Sequence, residues 1–482
     1  MSSELSRTEL SCLITHKKGF AFKSKDYIPS GVPVVRVSNF TWDSISTDDL
    51  RYVSHEVASS TKVVQLNEYD VIVATVGSWP QNPDSIVGKV VRVPCSLSGA
   101  LLNQNTVRLR VNDDNLVNQK YLYIALKTKE FSDHLISKAQ GSANQASITL
   151  SDIFSYAIPW GTYTQRKSIV DVIDSINDKI VIANQINQTL EQMAQALFKS
   201  WFVDFEPVKA KIAVLEAGGS QADATLAAMT AISGKGADAL AVFEREQPEQ
   251  YAELKATAEL FPSAMQESDQ GCIPEGWEYR KIGDYIDNIS KTYPLKKVEQ
   301  VVFLNTGDIK EGVFLHRNKS DVGSLPGQAK KSIKEGDILY SEIRPVNKRF
   351  AFVCFNADEY VVSTKLMVLR PKSKELSHYL YFLLSSNEVV SYLQLMAESR
   401  SGTFPQITYD TVSDIKILTS SDESVIKSFC KFLGENLYNP QQSIIKQNDI
   451  LTNIRDTLLP KLLSGEITLP EAEQAVSEAE NV

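Results

Sequence analysis

The chain of 482 residues is poor in the residues from which ready-made chemical sites are built. Its five cysteines, Cys12, Cys95, Cys272, Cys354 and Cys430, lie far apart with no CxxC pair. That spacing argues against a disulfide framework or structural zinc, and for a reducing cytoplasm. The five histidines, at 16, 55, 134, 316 and 378, show no ligand spacing, so no metal site is expected. No stretch reaches the ~18–20 consecutive apolar residues of a membrane span, and the start MSSELSRTEL has no apolar signal core. No membrane partner is expected, and the localisation expected is cytoplasmic.

Catalytic signatures are missing too. There is no GxGxxG, and Ser233-Gly234-Lys235-Gly236 lacks the upstream glycine and the hydroxyl of a phosphate loop. No segment of the form Asn/Asp/Ser-Pro-Pro-aromatic exists to hold a flipped adenine; Asn82-Pro83-Asp84 and Asn439-Pro440-Gln441 lack the second proline and the aromatic. Pro83-Asp84 has no acidic-x-Lys partner nearby for nuclease chemistry. A chain of this size without one such constellation is expected to be non-catalytic.

What is present starts with charge. The formal net charge is −9, which on its face opposes a nucleic-acid partner, since phosphate contacts need Lys and Arg. The deficit is local. Residues 1–160 carry 16 Lys+Arg against 15 Asp+Glu, and residues 271–420 carry 20 against 18. Residues 208–270 carry 5 against 10, and the tail 466–482 none against 5. Steering depends on the field within a Debye length of about 8–10 Å, so the average excludes little.

The sequence is also written twice. Residues 1–160 read as mostly β, with short β-branched runs such as Val32–Val37, Asp70–Val76, Ile86–Val93 and Thr106–Val111, then an amphipathic helix over Tyr121–Lys138. Residues 295–418 repeat this order. Val34 and Asp70 align with Val301 and Asp337, 267 residues on in both cases. Gly141 and Gln145 align with Gly402 and Gln406, and Leu190, Leu197 and Trp201 with Leu451, Leu458 and Leu462, all 261 residues on. So long a period is no solenoid; it indicates a duplicated β-rich domain followed each time by a helix.

From Ile169 the positions 169, 173, 176, 180, 183, 187, 190, 194, 197 and 201 step by four and three without a slip, an a/d seam over a helix from Gln165 to Phe205. The second copy gives Leu437, Gln441, Ile444, Asn448, Leu451, Arg455, Leu458 and Leu462, with a break expected near Asn439-Pro440. Asn187 and Asn448 are equivalents, and a lone Asn in an apolar seam fixes register; a plain helical hairpin with these Asn at exposed edges is the other reading. The Ala/Glu-rich stretch 208–270 reads as short helices in a partly mobile insert, and the acidic tail from Ser464 as frayed.

The block Gln185–Phe205, ending Leu197-Phe-Lys-Ser-Trp-Phe-Val-Asp-Phe205, resembles the central conserved helix of type I restriction–modification specificity subunits. Leu260-Phe-Pro-Ser263 with Ile273-Pro-Glu-Gly-Trp277 resembles the segment opening that family's second target-recognition domain, and Thr457-Leu-Leu-Pro-Lys-Leu-Leu-Ser-Gly-Glu-Ile467 its C-terminal ending. Cys272 before Ile273 and Glu68-Tyr69-Asp70, where the second copy has Gly336-Asp337, depart from the pattern.

The resemblance implies an α+β fold: two duplicated β-rich target-recognition domains (1–160 and 271–420) joined by two long helices (161–207 and 421–465) that form an antiparallel coiled coil. It also implies a non-catalytic subunit that reads a bipartite site on double-stranded DNA, with methyltransferase and restriction/translocase subunits as partners. The chain itself needs no cofactor; S-adenosylmethionine and ATP belong to the partners. The alternative is a duplicated-domain scaffold or adaptor that binds no DNA.

Candidate DNA contacts are polar and basic residues on turns between strands, because Lys and Arg meet phosphates while Asn, Gln and Arg read base edges. In the first domain these are Lys17, Lys18, Lys23, Lys25, Ser78, Trp79, Gln81, Asn82, Gln140, Ser142, Asn144 and Gln145. In the second they are Lys330, Lys331, Arg344, Asn347, Lys348, Arg349, Arg400 and Thr403. Arg344–Arg349 follows the Asp337 strand as the Trp79 loop follows the Asp70 strand. Phe198, Phe202 and Phe205 lie off the helix seam and are candidates for docking a methyltransferase subunit, burial in the helix pair being the other reading.

Overall fold

A computed structural model of the chain describes residues 5–41, 44–47, 49–79, 86–142, 145–269, 271–400, 405–421 and 423–480. The chain divides into two units, one made of residues 1–183 and 446–482, the other of residues 184–445.

In the first unit Val71–Ala74 lies inside a four-stranded antiparallel sheet, ordered Ile14–Lys18, Thr106–Val111, Val71–Ala74, Val90–Arg92. Val71 and Val73 enter one apolar core with Leu109, while Ile72 and Ala74 enter another with Val34 and Leu101. A strand alternates its side chains between faces, so one covered on both faces reads as an unbroken apolar run. The second unit repeats the sheet with Ile286–Asn288, Leu366–Pro371, Ile338–Ser341 and Phe350–Phe352 in that order. There Ile338 and Tyr340 face one core and Leu339 the other. Each unit also holds one parallel strand pair, Val34 opposite Leu101 and Val302 opposite Tyr360. An outer pair closes each domain: Arg7–Glu9 with Ala157–Pro159, and Trp277–Lys281 with Lys416–Ser420. The fold is α+β, and the duplication holds for the central sheet, the parallel pair and the outer pair, while the flanking strands differ between the copies.

One departure from the repeat has a conformational cause. Gly336 precedes Asp337 with φ +89°, and its counterpart Tyr69 precedes Asp70 with φ +66°. A side chain in that region costs about 1–2 kcal/mol. The Tyr69 ring lies 5.5 Å from the Arg92 guanidinium and 4.9 Å from Lys120 Nζ, cation–π contacts that offset part of the strain.

The first long helix runs Tyr163–Phe202. Thr162 and Gln165 cap its start reciprocally (Thr162 N to Gln165 Oε1 2.8 Å, Gln165 N to Thr162 Oγ1 3.4 Å). It stops three residues before the expected Phe205, which takes a left-handed φ of +53° ahead of the next helix, Glu206–Glu216. In the first unit Ile169, Ile173 and Ile176 share a core with Leu451, Leu458 and Leu462. In the second, Ala194, Phe198 and Trp201 share one with Leu433 and Leu437. Early residues of one helix meet late residues of the other, so the pairing seen in each unit is antiparallel. Asn187 and Asn448 are half-buried with their side-chain oxygens shielded from water, which disfavours edge exposure.

Two expectations are corrected, and the short helices expected in 208–270 are found, packed together. The second helix is not broken at Pro440. A π-helical turn over Gly434–Tyr438, in which the Asn439 amide bonds back to the Gly434 carbonyl, leads directly into Asn439–Ser464. The widened turn accommodates the proline ring without ending the helix. The 208–270 insert is a packed group of four helices, Glu206–Glu216, Gln221–Ser233, Ala237–Glu246 and Pro248–Glu259. Ala228, Met229, Ile232, Leu240 and Ala258 are buried in the same core as Trp201. The tail does not fray: Leu469–Glu480 is helical, capped at Thr468 by Glu471, with Ala472 fully buried in the first unit. No single helix among the described residues is long and apolar enough to cross a membrane.

Candidate nucleic-acid interface

A buried clamp underlies each candidate loop. Asp70 accepts from Arg110 Nε and Nη2 (2.7 Å for Nη2) and from the Asn67 amide at 2.7 Å. Asp337 does the same with Arg370 Nε (2.7 Å), Arg370 Nη2 (2.8 Å) and the Lys334 amide (2.8 Å). The pairing holds the Arg370 guanidinium above its ordinary pKa, against the desolvation that opposes it. A bidentate Arg–carboxylate pair fixes geometry as well as charge, so the start of each central strand is bolted to its neighbour. The sequence reading missed both arginines; their signal was arginine inside a largely apolar strand, Arg108 and Arg110 in TVRLRV and Arg370 in LMVLRP.

The far end of each strand delivers a loop. In the first unit, Val76 and Gly77 pair with Ser147 and Ala146, and Gln145–Ser147 pairs in turn with Gln140–Ser142. Trp79 Nε1 donates to the Ser142 carbonyl at 2.8 Å. A Cβ on Gly141 would lie 2.0 Å from the Gln145 carbonyl oxygen, so only glycine admits this close hairpin. The structure therefore places Gln140, Ser142 and Gln145 on one small sheet, with Ser78 directly after its edge strand and Trp79 hydrogen-bonded to it. Lys17 and Lys18 emerge at the same end, because Lys18 and Val73 flank Val107 from opposite sides. Lys23 and Lys25 stand exposed on a separate turn, Ser24–Asp26, and no hydrogen bond among the described residues ties it to the Trp79 sheet. Gln81, Asn82 and Asn144 lie outside the described residues, as does Thr403.

The second unit builds the same junction. Ile343 bridges to Gln406, Arg344 N bonds to the Pro405 carbonyl (3.1 Å) and Ile407 N to the Glu342 carbonyl (2.9 Å). Gln406 is the counterpart of Gln145, and in both copies the short segment that carries this glutamine pairs with the chain just after the clamped strand, through Ala146 and Ser147 in the first copy and through Gln406 in the second. Arg344 and Asn347 are exposed and Lys348 is half-buried. Lys330 is exposed, and Arg400 is exposed with Nη1 on Thr408 Oγ1 at 3.0 Å. Two basic candidates are committed elsewhere. Lys331 is buried, its Nζ donating to the Leu366 carbonyl at 2.8 Å, and burial lowers its pKa. Arg349 Nη1 donates to the Gly307 and Ile309 carbonyls at 3.1 Å each. Lys331 thus supports the fold, which corrects its assignment as a phosphate contact.

The aromatic strip is also corrected. Phe198 and Phe202 are each 6% exposed, packed on Tyr379 and Phe429. Phe205 is half-buried, edge-on to Trp277 at 5.9 Å. Phe198 and Phe202 therefore present no free ring to a partner. Among the described residues no three His, Cys, Asp or Glu side chains are placed to share a metal ion.

The type I restriction modification DNA specificity domain family matches residues 8–192 and 274–433. The chain is 34% identical over 366 residues to the type I restriction enzyme HindI specificity subunit of Haemophilus influenzae, covering 73% of this chain and 78% of that one. It is 24% identical over 388 residues to the MjaIX specificity subunit of Methanocaldococcus jannaschii, covering 74% and 71%. A solved S subunit of a type I system from M. genitalium aligns over 96% of both chains at 13% identity and a TM-score of 0.43. The two matched regions fall on the two domains that carry the clamped strands and their loops, and the chain belongs to the type I restriction–modification DNA specificity family.

Proposed function

We propose that this chain is the DNA-recognition subunit of a type I restriction–modification complex, in which each β-rich domain reads one half of a split site on double-stranded DNA. The observation that carries the reading is the repeated tip: in both domains a clamped strand runs on into a loop paired with the segment that carries the aligned glutamine, Gln145–Ser147 in the first and Gln406 in the second. Loops on a rigid scaffold are where recognition is placed, because their side chains can vary without disturbing the core.

The chain is non-catalytic in this reading. Methyltransferase subunits supply S-adenosylmethionine chemistry, and restriction/translocase subunits use ATP. With Phe198 and Phe202 inside the core, docking of the methyltransferase falls to the outer face of the first long helix. Ile186 (45% exposed) and Met193 (49%) stand there, two helical turns apart. The paired helices set the distance between half-sites.

The test is a domain exchange. The chain, assembled with its methyltransferase subunits, is mapped for adenine methylation before and after residues 1–155 are replaced by those of another family member. One half of the methylated sequence should change while the other stays. A change in both halves, or methylation without sequence preference, refutes the modular reading.

A further inference from the structure

The loop Arg344–Arg349 divides by what its groups do. Arg344 N is held by the Pro405 carbonyl at 3.1 Å, Asn347 N by the Arg344 carbonyl at 2.9 Å and Lys348 N by the Pro345 carbonyl at 2.8 Å. Val346 N donates to Gln394 Oε1 at 3.1 Å, while Gln394 Nε2 donates to Glu398 Oε1 at 2.7 Å. Pro345 is buried, and Arg349 is tied to Gly307 and Ile309. The backbone is fixed from end to end. Two of its residues, Arg344 (φ +44°) and Lys348 (φ +52°), are nevertheless in the left-handed region. Strain of that kind persists only where the surroundings over-determine it, and it gathers at functional tips.

What this frame holds out is specific. Val346 is 58% exposed, between Arg344 and Asn347, whose side chains have no hydrogen-bond or ion-pair partner among the described residues. A β-branched side chain is stiff about χ1, so it needs little further ordering on contact. Val346 belongs to none of the apolar clusters among the described residues. In the major groove the apolar feature of a base edge is the thymine C5-methyl group, and an asparagine can take adenine N6 and N7 in a bidentate pair. A short apolar residue beside an unpartnered amide and a cation matches that surface.

We propose that Val346 is a specificity-determining residue of the second domain, seated on the C5-methyl of a thymine in its half-site, with Asn347 on the neighbouring base edge. The proposal rests on the DNA-reading function proposed above. Gln394 is a positioning residue, because it aims the tip without touching DNA.

The test uses the full chain assembled with its methyltransferase subunits, on duplexes carrying the sequence it methylates. Each thymine of the half-site assigned to the second domain by domain exchange is replaced in turn by uracil, which lacks only the methyl. One replacement should weaken wild-type binding about fourfold, the effect of one lost methyl contact. The same replacement should leave binding by Val346→Ser and Val346→Ala unchanged, and both variants should melt with the wild type. The proposal is overturned if no uracil weakens binding, if uracil weakens wild type and variants alike, or if that half-site holds no thymine. Wild-type protein that binds all duplexes equally overturns the DNA-reading function as well, a result distinct from sequence-selective binding that ignores the methyl.

Discussion

Lys211 Nζ donates to the carbonyl oxygen of Phe261 at 2.6 Å, and the lysine is only 2% exposed. The Phe261 ring meets Trp201 edge-on at 5.2 Å, so one contact ties the end of the four-helix insert to the end of the first long helix. Burial lowers the Lys211 pKa, with Glu259 acting the other way. The ammonium satisfies the carbonyl of the residue just past the C-cap of Pro248–Glu259, near the negative end of that helix. Lys211→Ala should cost about 2–4 kcal/mol, from lost stem packing and an unpaired buried carbonyl. Lys211→Met keeps the stem and should cost about half as much. Denaturant unfolding of the two variants checks the order.

The two Asp–Arg clamps should behave alike. Asp337 is 0% exposed, so Asp337→Asn strands the Arg370 charge and should destabilise the second unit by about 2–4 kcal/mol. The double change Asp337→Leu with Arg370→Met should cost less than the single one, which a double-mutant cycle measures directly.

His378 supplies a pH dependence. Its ring lies 4.2 Å from that of Tyr438 and 4.8 Å from that of Phe352, and desolvation lowers its pKa from 6.5 to about 4. Below pH 6.5 the unfolded chain binds a proton that the folded chain refuses, so this contribution to stability is full above 6.5 and lost as pH falls towards about 4. Glu191, beside Tyr438, has its carboxyl pushed up by burial and acts in the opposite sense above its unfolded value. The imidazole is therefore isolated by difference: between pH 7 and pH 5 wild type should lose about 1–2 kcal/mol more than His378→Phe. Equal losses would remove His378 from the account.

Arg344 and Arg349 should separate binding from stability. Arg344→Ala should leave the melting temperature unchanged and weaken DNA binding about tenfold, with the salt slope falling by about 0.9 if the contact is to phosphate. Arg349→Ala, which releases the Gly307 and Ile309 carbonyls, should instead destabilise the loop by about 1–2 kcal/mol. Binding and melting curves on the same preparations decide between them.

Charge on the outer face of the first long helix should block assembly. Ile186→Glu with Met193→Glu changes residues that are 45% and 49% exposed, so the fold should tolerate both. Co-purification with the methyltransferase subunit should be lost, whereas Phe198→Glu should instead unfold the chain.

The duplication and the heptad seam were legible because both are periodic: a constant offset from Val34 to Val301 and steps of four and three from Ile169 to Trp201 need no tertiary knowledge. What escaped the sequence depends on partners distant in the chain. Lys331 looks like Lys330 beside it, yet one ammonium finds the Leu366 carbonyl and the other finds water. Phe202 looked free because the heptad accounts for one stripe of a helix, whereas the end of this helix is covered on more than one side. The Ala/Glu-rich composition of 208–270 masked a packed core in which Ala228 and Ala258 are fully buried beside Met229, Ile232 and Leu240. The loops were placed correctly after the Asp strands, but the separation of holding from displayed side chains depends on backbone angles that composition does not encode.

The division of the chain bears on its synthesis. Residues 184–445 form one contiguous unit, while the other is begun by residues 1–183 and finished by 446–482. A nascent chain can therefore close its second unit first. The first must wait, with Ile169, Ile173 and Ile176 unmatched, until Leu451, Leu458, Leu462 and Ala472 leave the ribosome. The unit begun first is completed last, so a premature stop after residue 445 spares the later unit and leaves Ile169, Ile173 and Ile176 of the earlier one uncovered.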